Sequence, residues 1–202
     1  MSILEGYKIF LKHVADKKGF KNRGNWLVFI MDFFAAHETG QGSKPDPAIV
    51  QKGGGPGRGI FQFENLPGGG GWTALVRTIN ALKKAEIQIP EWIKKLYIDG
   101  VKKKVVDFSK LNHLQQRYLW LGNYLEKPGA DLSTLKITNE DTAETYLDKL
   151  AEFWATHHWA GPKKDRAKKI KRFKSNLKAN HAFFEDVIIK ESMRRRLNII
   201  IG

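Results

Sequence analysis

Glu38 is the residue whose setting suggests acid chemistry. It sits one residue from the end of the run Trp-Leu-Val-Phe-Ile-Met-Asp-Phe-Phe-Ala-Ala-His-Glu-Thr (26–39), and a glycine-rich stretch follows. A carboxyl group held against apolar walls has its charged form disfavoured, which raises its pKa toward the range where it donates a proton near neutrality. The helix dipole also opposes a carboxylate at a helix C-terminus, so the placement calls for a reason. The bland reading is a solvated helix-end residue. A second segment, Gly57-Arg58-Gly59-Ile60-Phe61-Gln62-Phe63-Glu64, sets the Gln62 amide among glycines that permit close backbone approach. Apolar neighbours are there to anchor it from beneath. Such an amide can hydrogen-bond a sugar or an attacking hydroxyl. Acid and base roles are often divided between two carboxylates, and between Glu38 and Glu64 the only other acid is Asp46. Asp46 can serve as a general base or simply form a turn beside its prolines. Glu64 can face a cleft or solvent.

Other chemistries fail on spacing. The glycines at 53–59 match neither the phosphate-loop nor the dinucleotide pattern, so no nucleotide cofactor is expected. His37-Glu38 lacks the second histidine of a zinc-protease helix, and no Gly-x-Ser-x-Gly occurs. With no cysteine and six scattered histidines, of which only His157 and His158 are adjacent, no metal site is expected.

The elements that must hold these residues read as helices. Ile3, Leu4, Tyr7, Phe10, Leu11 and Val14 recur at helical spacing before Gly19. A second helix starts at an Asn25 cap and is apolar nearly all round, as expected for the spine of a core. From Gly40 to Gly71, 11 of the 19 glycines and four prolines predict a loop or a small irregular hairpin. Helical periodicity resumes from Trp72 to Leu82, Glu91 to Ile98 and Phe108 to Glu126, then from just after Thr138 to about His157. Trp120, Trp154 and Trp159 can stack on sugars or pack in the core, and Tyr118 and Tyr124 can supply a cleft hydroxyl or pack. The fold class is all-α or nearly so, with 1–162 as a catalytic domain and 163–202 as a basic helical extension.

The motifs resemble those of the lysozyme superfamily of glycoside-cleaving enzymes. Its lytic transglycosylases and goose-type lysozymes have a helix ending in Glu-Ser-Gly followed by Gly-Leu-Met-Gln, and its chitinase-like phage endolysins have His-Glu-Thr and later Gly-Arg-Gly-x-x-Gln. The resemblance implies a lysozyme-like helical domain with its Gly-rich loop beside the cleft. It makes Glu38 the catalytic acid and Gln62 the substrate-side support, with Arg58, Gly59 and Phe61 in the same substrate-binding segment. Ala155 to Pro162 is similar to the Ala-Tyr-Asn-Ala-Gly-Pro cleft segment of the transglycosylases, with His158 and Trp159 where that family has Tyr and Asn. The implied substrate is the glycan strand of peptidoglycan, cleaved between N-acetylmuramic acid and N-acetylglucosamine. Transglycosylation needs no second carboxylate, and hydrolysis stays open.

Lys and Arg number 35 against 21 Asp and Glu, a formal charge of +14, which favours anionic partners. The last 40 residues hold 13 of those cations, with Ala167, Ile170, Phe173 and Leu177 as an apolar stripe. That tail is expected to be a solvated face, to grip an anionic bacterial envelope, or to disturb a membrane as a basic amphipathic helix. The N-terminus does not read as a signal peptide. Synthesis in a host cytoplasm is therefore expected, with action on the wall either through a holin or from a virion among other virion proteins. The competing readings are a chitinase-like hydrolase, a non-catalytic basic nucleic-acid-binding protein and a virion structural subunit.

Overall fold

The computed structural model describes residues 2–20, 24–41, 45–138, 140–159 and 161–178. They form seven α-helices, short 3-10 turns and one two-stranded antiparallel hairpin, so the chain is nearly all-α. No helix among the described residues is long and apolar enough to cross a membrane. The chain divides into two compact units, Met1–Leu132 and Ser133–Gly202. The boundary falls at Leu132 rather than after Pro162, because the helix that closes the expected catalytic domain packs with the basic helix behind it.

In the first unit, α1 (Ile3–Lys17) opens on a capping box between Ser2 and Glu5. Helix α2 (Gly24–Thr39) buries Trp26, Leu27, Ile30, Met31, Phe33 and Phe34. Asn25 lies inside this helix, and its side chain is outside the described set. Strands β1 (Gly57–Arg58) and β2 (Phe63–Glu64) pair Gly57 with Glu64 and Arg58 with Phe63, so the glycine-rich stretch does contain the small hairpin. Helices α3 (Gly70–Lys84) and α4 (Glu91–Gly100) follow. Phe108–Lys110 is a 3-10 turn, and α5 (His113–Glu126) starts only after the Asn112 cap, whose box with Gln115 fixes the first turn. Helix α5 packs against α1 and α3. It is buried on every side from Tyr118 to Leu125, sharing with α2 the place expected for α2 alone.

In the second unit, α6 (Ala143–His157) begins at a Thr142–Thr145 capping box. The expected Thr138–Asp141 box instead closes a turn, in which Asp141 Oδ2 accepts from the Thr138 backbone N–H at 2.6 Å and from its hydroxyl at 2.9 Å. Helix α7 (Arg166–Lys178) lies against α6 with Phe173 and Leu177 buried, the Phe173 ring 5.4 Å from that of Trp154. The tail beyond residue 178 and Ala160 of the Ala-Gly-Pro segment lie outside the described residues.

Candidate active site

Helix α2 stops where it does because Gly40 takes a left-handed φ of +69° and its N–H donates to Ala36 O at 2.9 Å. This puts Glu38 in the last turn, half-buried, behind a buried His37. Its charge acts on Tyr124 of α5, which is fully buried. The Tyr124 hydroxyl is held well above its ordinary pKa, first by burial and then by the negative charge of Glu38, with Arg77 pulling the other way. Tyr124 is therefore a neutral hydroxyl at every working pH. Around it are Arg77, which donates to Asn123 Oδ1 at 2.8 Å, and Lys127, whose ammonium lies 6.0 Å from the Tyr124 ring centroid. Of the two tyrosines the sequence offers, Tyr118 is elsewhere, stacked on Phe10 and edge-on to Trp92.

The hairpin carrying Gln62 rests on the same aromatic support. Phe61 packs 5.8 Å from Trp120, and Trp120 packs 4.4 Å from Tyr124 and 5.5 Å from Phe34. Trp120 is thus a core residue, as is Trp154 in the second unit. Phe61, counted with the substrate-binding residues, is fully buried and anchors the hairpin from beneath instead of lining a groove. Gly59 also serves the hairpin. It is buried with φ +71°, and a Cβ there would lie 2.3 Å from Gln116 Oε1. Its N–H donates to Ile49 O and its carbonyl accepts from Gln62, so its backbone is spent within the fold. Arg58 Nη1 donates to Gly55 O at 2.7 Å and Gly57 O at 2.9 Å, which makes the guanidinium a brace for the loop.

Gln62 itself is half-buried in a left-handed backbone conformation, φ +48°, uncommon for a residue with a side chain. Its amide Nε2 donates to Gly59 O at 2.8 Å, leaving the amide oxygen at the Gly57 edge of the hairpin. Asp46 is exposed, and its Oδ1 accepts from Ala48 N–H at 2.9 Å, the turn-forming arrangement. Its own N–H donates to Gln41 Oε1 at 2.7 Å. Glu64 is exposed at the foot of the hairpin.

The side chain that composition and motif both missed is Gln116. It is fully buried in α5, with Oε1 accepting from Ile60 N–H at 2.8 Å and Nε2 donating to Pro47 O and Leu111 O, each at 2.8 Å. One amide therefore joins the hairpin turn, the Asp46 loop and the start of α5. Its signal was the spacing Gln116, Trp120, Tyr124, which puts a polar residue on a face otherwise filled by rings. A second polar link crosses the core nearby. Asp32, the charge that interrupts the apolar run, pairs with Arg117, and burial outweighs that partner and lifts the Asp32 carboxyl above the ordinary range.

His158 and Trp159 belong to the second unit. His158 ends α6, its N–H bonded to Trp154 O at 2.8 Å, and Trp159 is half-buried with Lys169 Nζ 5.5 Å from its ring centroid. The same unit has an open pocket of about 280 Å³ beside α6, lined by Thr134, Lys149, Glu152, Phe153, Thr156 and His157. The basic helix differs from expectation in one respect. The Phe173 and Leu177 half of its apolar stripe is buried, while Ile170 is half-buried and Ala167 exposed, and Lys174 pairs with Glu144 at 2.7 Å and Asp148 at 2.5 Å and Arg166 with Glu152 at 2.8 Å. Among the described residues no group of three or more His, Asp or Glu side chains can hold a metal ion. No protein-family profile, no curated protein and no solved structure matches this chain.

Proposed function

We propose that this chain cleaves the glycosidic bond between N-acetylmuramic acid and N-acetylglucosamine in peptidoglycan, with Glu38 as its acid/base, as a lysozyme-like enzyme of bacteriophage. The observation that carries the reading is the half-buried Glu38 at the end of α2, whose charge acts on the buried Tyr124 hydroxyl, with the Gln62 hairpin braced through Trp120 on that same tyrosine. In the proposed reaction Glu38 gives its proton to the glycosidic oxygen as the bond to the muramic C1 breaks. The resulting carboxylate then takes the proton of the muramic C6 hydroxyl as that oxygen closes on C1, giving a 1,6-anhydro end and restoring the acid. Neither Asp46 nor Glu64 is needed for this route, which suits an Asp46 committed to a turn and an exposed Glu64. The lysines of α7 that α6 leaves exposed, among them Lys168 and Lys171, would hold the enzyme on an anionic wall.

Glu38→Gln removes the proton while keeping shape. Clearing of a cell-wall suspension should fall by at least about a thousandfold with the circular dichroism spectrum unchanged. Retained clearing removes Glu38 from the role. Mass spectrometry of the digest separates the routes, since an anhydro end marks transglycosylation and a reducing end marks hydrolysis. Turnover of chitin oligomers in preference to peptidoglycan would move the substrate to the chitinase-like reading.

A further inference from the structure

Helix α4 ends in an unusual surface. Large apolar side chains are exposed at Tyr97 (39%), Ile98 (70%) and Val101 (42%), and Leu66 (47%) joins them because Gly68 N–H donates to Lys104 O at 2.9 Å. These are four of the seven exposed large hydrophobic residues among those described. Lys102, Lys103 and Lys104 follow directly, all exposed, and Lys94 and Lys95 lie on the helix before them. The acids of α4 itself are answered, Asp99 by Lys95 at 3.0 Å and Glu91 by Lys94 at 2.5 Å, so neither opposes the lysine triplet.

The turn is built to hold this display. Val101 N–H donates to Tyr97 O at 2.8 Å. A Cβ on Gly100 would come within 2.6 Å of Val105 O, so the chain doubles back at a residue with no room for a side chain. Lys104 is held at φ +52°, a conformation that costs a residue with a side chain energy and is kept only where its surroundings impose it. Trp72 stacks on Tyr97, 5.4 Å between centroids, and backs the patch from α3.

We propose that the end of α4 and the turn after it form a docking surface for an anionic lipid bilayer. Ile98, Val101 and Leu66 would enter the headgroup boundary, Tyr97 would sit at its level, and Lys102, Lys103 and Lys104 would face the lipid phosphates. A second copy fits this patch poorly, since a symmetric contact would press two lysine triplets together. A nucleic acid would leave the aliphatic side chains without a hydrocarbon partner. The inference is independent of Glu38 and its chemistry.

The chain has no cysteine, so Ile98→Cys carries a single polarity-sensitive fluorophore. On vesicles of equal parts phosphatidylcholine and phosphatidylglycerol the label should shift to the blue, and on pure phosphatidylcholine it should not. The same label at exposed Leu4→Cys should stay unchanged on both. Partitioning of the unlabelled protein, followed by sedimentation, should fall about tenfold or more for Ile98→Ser. It should fall about fivefold for each lysine removed in Lys102→Gln and Lys103→Gln. Lys168→Gln with Lys171→Gln, on α7, should leave the Ile98 label's shift in place. Sedimentation without a blue shift at residue 98 overturns the proposal, as does absence of binding to the anionic vesicles. A blue shift that grows with protein concentration and needs no vesicle also overturns it, and assigns the patch to a second copy.

Discussion

At the scale of single residues, the candidate site depends on two glutamines used in opposite ways. Gln116 is a structural amide with both its N–H donors and one acceptor site spent on Pro47, Leu111 and Ile60. Gln116→Leu keeps the volume and strands two buried backbone groups and a part-buried one, each buried group worth about 1–3 kcal/mol when left unpaired. We expect a loss of about 3 kcal/mol or more in urea unfolding, and activity lost with the fold. Gln62 makes one local bond and sits at φ +48°, where glycine is at ease. Gln62→Gly therefore trades a hydrogen bond for relief of backbone strain, and stability should stay within about 1 kcal/mol. If the Gln62 amide holds the sugar, kcat should still fall about tenfold or more, the equivalent of one lost transition-state contact. A Gln62→Gly enzyme with full kcat would reduce Gln62 to a turn residue. Both substitutions act on the same hairpin, so the contrast between them separates holding the loop from using it.

At the scale of elements, α7 is held by what it buries more than by what it pairs. The Phe173 ring is fully buried against Trp154, whereas the Lys174, Lys178 and Arg166 partners on α6 are all half exposed to solvent, where ion pairs are weak. Phe173→Ala should cost the second unit about 3–5 kcal/mol, read as lost amide-exchange protection in α6. Lys174→Ala should leave that protection nearly intact. Periodicity found this helix and its stripe at once, because Phe173 and Leu177 are spaced for one face. It could not tell that the face was already occupied, since a stripe looks the same whether it meets a lipid or another helix. The α5 start was misplaced for a related reason. Phe108 and Leu111 are buried like helix residues, but they belong to a 3-10 turn and its exit, and only the Asn112–Gln115 box marks the true start. The place of Glu38 at a helix end and the small hairpin were legible because chain-stopping residues bracket them. Gln116 was not, because its partners are 56 and 69 residues away in sequence and nothing local announces them.

At the scale of the whole molecule, the +14 charge is not spread as one field. Glu144, Asp148 and Glu152 neutralise part of α7, while the lysines at 102–104 and Lys168 and Lys171 of α7 are exposed. The two units also carry carboxyls displaced in opposite directions. Asp141 is buried, which by itself would raise its pKa, but the Lys149 ammonium and the Thr138 N–H and hydroxyl outweigh burial and hold it below the ordinary 3.8. A depressed folded value means that the stability Asp141 contributes is present above 3.8 and is lost as the pH falls through its folded pKa. Asp32 is the reverse case. Its folded value lies above 3.8, so the fold loses stability as the pH rises from 3.8 through that value, and acid takes nothing further from it. Urea midpoints of the parent and Asp141→Asn should therefore differ most near neutral pH and converge as the pH drops below 3.8. A gap that stays constant through that window would mean the Asp141 charge adds nothing to the turn that precedes α6, and that the Thr142 cap alone fixes where the helix begins.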